Sequence, residues 1–76
     1  MYNVMVRVMA HMDAIKIGSA DTVAGARELL DADAKVTFPD TEVFDEVAYE
    51  GSFAANKKVM LAVAYGQGIG YTVEEA

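Results

Sequence analysis

At 76 residues, with 54% apolar residues, no cysteine and a formal charge of −6, the chain has room for one domain and no more. A domain of this size buries only about 60% of the surface its unfolded chain exposes, and without cysteine no disulfide can add to that margin. The single histidine, His11, has no second nitrogen or sulfur ligand to help it, which excludes a structural zinc site. The acidic balance argues against direct contact with nucleic acid or with an anionic membrane, since both need clustered Lys and Arg. It favours a basic protein surface instead. The longest unbroken apolar run, residues 59–65, is 7 residues long, where a membrane span needs about 20. No charged segment followed by a long apolar stretch opens the chain, so a cytoplasmic location is expected.

In chain order, residues 2–10 read as a strand. Val4, Val6 and Val8 alternate with Met5, Arg7 and Met9. Both faces carry apolar groups, a pattern usual for strands covered on two sides. Residues 14–17 form a second short strand ending at Gly18, and the brief link between the two favours an antiparallel hairpin. Ser19 or Asp21 then caps a helix over about residues 22–32, with Val23, Ala26 and Leu30 on one face. Gly25 inside that helix points to a close approach to the sheet. Asp31 and Asp33 oppose the C-terminal dipole, so the helix is expected to fray there.

Residues 35–38 are a short strand candidate, interrupted by Pro39 and Asp40. In the 41–50 segment two signals conflict. Val43, Phe44, Val47 and Ala48 fall on one helical face, while the propensities of Val, Phe and Tyr favour a strand. The periodicity favours a short helix stopped by Gly51. Residues 52–56 then form a loop. Lys57–Tyr65 is the strongest strand pattern in the chain, with Val59, Leu61, Val63 and Tyr65 on one face and Lys58, Met60, Ala62 and Ala64 on the other. A Gly66–Gly68 turn leads to a last strand over residues 69–73. The expected assembly is a small two-layer α+β domain. It has a mainly antiparallel sheet of four or five strands, in the order β-β-α-β-(α)-β-β, with one or two helices on one face.

Motifs that carry chemistry are incomplete. Gly66, Gly68 and Gly70 resemble a phosphate loop only loosely, since the third glycine comes one residue early and no helix can follow. A hairpin turn explains them better. Asp31-Ala-Asp33 begins like a calcium loop, but Lys35 and Val36 stand where an oxygen ligand and a glycine are needed. His11 near Asp13 could form a base with an orienting carboxylate, yet no nucleophile motif accompanies it. Glu42 and Glu46 could serve as a carboxylate pair, but so short a chain has little wall for a cleft. No catalytic residue and no cofactor is therefore assigned.

Two features remain. Between Glu28 and Glu50 lie eight acidic residues against Lys35, so this segment carries −7 while the rest carries +1. Asp40, Glu42, Asp45, Glu46 and Glu50 are the candidate contact residues for a basic protein partner, with Glu42, Asp45 and Glu46 on one helical face. Solubility alone accounts for the same charge, and more simply. The sharpest form of the contact idea is an inhibitor, encoded by a phage or mobile element, that mimics nucleic acid. The second feature is the apolar excess. Met5, Met9 and Met60 are candidates for self-association, most simply as a homodimer through the sheet. The expected function is thus a non-catalytic interaction module. The alternatives are an assembly protein that binds itself, and a small ligand-binding or enzymatic domain that uses His11.

Overall fold

The computed structural model describes residues 1–9, 12–54 and 57–76, with the backbone alone for residues 50–54, 57 and 67. Five strands form one sheet: β1 (Tyr2–Arg7), β2 (Ile15–Ala20), β3 (Val43–Ala54), β4 (Lys57–Tyr65) and β5 (Gly70–Glu75). One helix, α1 (Val23–Thr37), joins β2 to β3. The spatial order is β2-β1-β5-β4-β3 and every pairing is antiparallel. The α+β class, the antiparallel sheet and the single helical layer are as the sequence implies.

The two ends of the chain meet at the middle of the sheet, where β1 pairs with β5. Val4 lies opposite Val73 and Val6 opposite Tyr71, all four buried under α1. The helix contributes Ala26, Leu30 and Ala34, spaced so that one stripe faces inward. Leu61, Val63, Tyr65 and Ile69 complete the core. Each fully buried side chain of this kind contributes about 1.5–3 kcal/mol through removal of apolar surface from water.

The helix differs from the sequence expectation at both ends. Its cap is Thr22, not Ser19 or Asp21: the Thr22 Oγ1 accepts the Gly25 N–H at 3.0 Å. Gly25 does approach its neighbours closely, since a Cβ there would lie 3.2 Å from the Ala20 Cβ. At the other end the helix runs on to Thr37, so residues 35–38 are not a strand and no fraying occurs at Asp31 and Asp33. Both acids have donors that outweigh the adverse dipole. Arg27 Nε donates to Asp31 one turn away at 3.0 Å, and the Tyr71 hydroxyl donates to Asp33 Oδ2 at 2.6 Å. The helix stops where Pro39 forbids continuation, with Phe38 as C-cap.

The largest correction is at 41–50. This segment is not a helix: β3 begins at Val43 and runs through Gly51 and Ser52 to Ala54. The long apolar β4 offers it a full ladder of backbone partners, and the β-branched and aromatic residues Val43, Phe44, Val47 and Tyr49 suit a pleated surface. A helix there would also bring Glu42, Asp45 and Glu46 together with no relief of repulsion. The first strand, expected over residues 2–10, ends at Arg7; β2 starts one residue later than expected and runs on to Ala20, and β5 lies one to two residues further along. Gly66–Gly68 forms a single 3-10 turn, in which Gly68 takes a φ of 79°, a left-handed conformation that favours glycine.

Candidate functional site

The two edges of the sheet are built differently. β2 is 6 residues long, carries Lys16, has a register irregularity opposite Val4 and Met5, and is packed by α1. Short length, lysine and bulges are the usual means by which a sheet edge is blunted. β3 is 12 residues long with neither lysine nor proline, and its only strand partner among the described residues is β4. Phe44 is 84% exposed and Val43 50%, with Val47 and Tyr49 exposed beside them.

Register fixes which way the β3 side chains point. Glu46 lies opposite Val63 and Ala48 opposite Leu61, on the helix side of the sheet. Asp45 lies opposite Ala64 and Val47 opposite Ala62, on the side that α1 leaves open. Asp45 and Glu46 therefore face opposite sides, and the single acidic helical face expected for Glu42, Asp45 and Glu46 does not exist. The phosphate-mimicking row loses its basis with it.

On the helix side, Arg27 reaches across from α1 to Glu46 with a forked, two-nitrogen ion pair, one arm of which is Nη2 to Oε2 at 3.0 Å. Asp31 shares the same guanidinium. The hydrogen bonds from Arg27 hold the Glu46 carboxyl below the usual carboxylate range, and the same contact raises the Arg27 guanidinium. Burial, reinforced by the Asp33 hydrogen bond, pushes the Tyr71 phenol up. Burial also raises Tyr65, whose ring meets Tyr71 edge to face at 5.6 Å. Asp31, Asp33 and Glu46 thus serve the fold. Asp40 and Glu42 are exposed in the connection before β3 and have no ion-pair partner among the described residues. Asp45 is exposed as well, and its Oδ1 accepts the backbone N–H of Glu46 at 2.9 Å. The Glu50 side chain lies outside the described residues, as does His11.

The open side of the sheet holds a solvent-accessible hollow of about 480 Å³. Ala62, Ala64 and Gly70 make a low floor, with Met5 and Arg7 on one flank and Val47 and Tyr49 on the other. A register shift between Val59 and Leu61 sets Val59 opposite Glu74 on this side, while Met60 packs against the core. The three methionines singled out for self-association are accordingly apart: Met5 lines the hollow, Met9 is exposed beyond β1, and Met60 belongs to the core.

Among the described residues no group of three or more His, Asp and Glu is placed to hold a metal ion, and no helix is long and apolar enough to cross a membrane. No family model, curated protein or solved structure matches this chain. Sequence reasoning missed Arg27, whose spacing to Asp31 was visible but whose reach to Glu46 depends on the crossing of α1 over the sheet.

Proposed function

We propose that the chain is a non-catalytic interaction module whose β3 side contacts a basic protein. One observation carries this: β3 is a long edge strand, with neither lysine nor proline, that presents exposed apolar groups and acidic groups together. Phe44, Val47 and Tyr49 supply contact area, and Asp45, with Asp40 and Glu42 just upstream, supplies negative charge that draws in a cationic partner. The acids already held by Arg27 and Tyr71 are not part of this surface.

The test is capture from a cell lysate on immobilised protein, eluted by a salt gradient. A discrete basic protein released as screening rises is expected. The triple variant Asp40→Lys, Glu42→Lys, Asp45→Lys should then retain nothing, because all three side chains are exposed and their reversal spares the core. Equal capture by this variant would rule the surface out.

Self-association through the open sheet face is a second reading, favoured by the apolar floor of the hollow beside Met5. Sedimentation equilibrium separates it from the first: a dimer that Met5→Lys dissociates supports it, and a monomer at high concentration removes it.

A further inference from the structure

We propose that the basic partner binds as an added strand: an extended segment rich in Lys or Arg pairs with the free edge of β3 and becomes a sixth strand of the sheet. This rests on the reading of β3 as the contact side and specifies how the contact is made. The Glu46 N–H shows where the free edge is. It donates to the Asp45 side chain at 2.9 Å, which places it on the outer side of the strand. Backbone groups alternate along a strand, so Asp45 and Val47 turn their N–H groups toward β4, while Ala48 turns its own outward like Glu46. Between the register shifts at Val43/Asp45 and Ala48/Ser52, residues 45–48 pair one to one with β4. This regular stretch is the template for a new strand.

Charge selects the occupant. The strand holds Asp45, Glu46 and Glu50 and no Lys or Arg. A second copy of β3 would set acid against acid with no cation in either strand, which is destabilising across a strand pair, and Arg27 is already engaged by Glu46 and Asp31. A cationic strand meets the opposite condition. One of its cations can also draw Asp45 away from the Glu46 N–H and free that donor for the incoming backbone. Side chains of the new strand alternate between the two sides of the sheet, so the cations that meet Asp45 fall on the open side, with Val47. Main-chain hydrogen bonds provide the affinity in this mode, and side chains provide the selectivity.

The probe is a fluorescein-labelled peptide of about ten residues alternating lysine and valine, the length of an ordinary strand. Anisotropy titration at low salt reads its affinity for the full chain. Ala48→Pro removes one outward donor while keeping the net charge and the ladder to β4, as proline on an edge strand allows. Binding should weaken about tenfold or more in Ala48→Pro. The same loss is expected with unaltered protein when the peptide is N-methylated throughout, which keeps its charge and removes its donors. This second arm holds even if Ala48→Pro does not fold. Binding of the methylated peptide within about twofold of the parent overturns strand addition. In that case Asp45→Lys still reports whether the acidic surface binds at all, so the two ideas fail separately. A parent peptide that does not bind overturns strand addition, as does a β3-mediated dimer that excludes it.

Discussion

The two halves of the sheet divide the work of the molecule. On one side β1 and β5 lie under α1, where Tyr71 is 1% exposed and packs its ring against both Phe38 and Tyr65. On the other side β3 carries Phe44 almost fully in solvent and touches the helix chiefly through one exposed ion pair at Arg27. Both halves are strands of similar composition. The difference is cover, and it shows that apolar sequence is not the same as core. In the covered half apolar groups hold the fold together, and in the bare half they remain free to meet something else.

The strongest way to break this comparison is to strike the covered half. Tyr71→Ala should cost about 3–5 kcal/mol, enough to unfold most of a domain this small, as urea denaturation followed by circular dichroism would report. Leu30→Ala, which empties the helix side of the same core, should cost about 2–5 kcal/mol in that assay.

Tyr71→Phe is a finer cut. It keeps the ring packing and removes the hydroxyl that donates to Asp33, at a cost of about 1 kcal/mol. It should also flatten the alkaline limb of the stability curve. Because burial raises the folded phenol above its ordinary value, the stabilisation is complete below about pH 10 and falls as pH rises above it, where the unfolded state loses its proton first. The raised Tyr65 leaves part of that limb in place.

The smallest stability effect is expected on β3. Phe44→Ser should change unfolding free energy by no more than about 0.5 kcal/mol, yet weaken capture of the basic partner. A large loss of stability would mean that β3 is part of the core after all. The two halves are also linked through Glu46, and acid breaks that link. Its folded value is depressed, so the Arg27 contact stabilises the protein above the ordinary carboxylate range and is lost as pH falls through the depressed value. Glu46→Gln should remove that component of the acid limb.

Much of the covered half was legible from residue pattern. The valine alternation of β1, the run in β4 and the Ala26–Leu30 stripe each carry a period that only one element satisfies. The bare half was not, because over residues 41–50 periodicity points to a helix and propensity to a strand, and the deciding factor, a long apolar partner strand, lies elsewhere in the chain. Met60 was misread for a similar reason: a register shift moved it from the expected open face to the core. Asp31 and Asp33 looked like a helix end because their donors, Arg27 and the distant Tyr71, compensate the dipole in ways that spacing alone does not reveal.

The most direct test of this division is amide hydrogen exchange resolved by residue, with and without the lysine–valine peptide. Without it, amides of β1, β4 and β5 should exchange slowest, and those of Glu46 and Ala48 should exchange fast. With it, new protection should appear at Glu46 and Ala48. Protection that instead appears across Met5, Arg7 and Thr72 on the open face, or slow exchange at Glu46 and Ala48 from the start, would contradict the assignment of β3 as the free edge that binds.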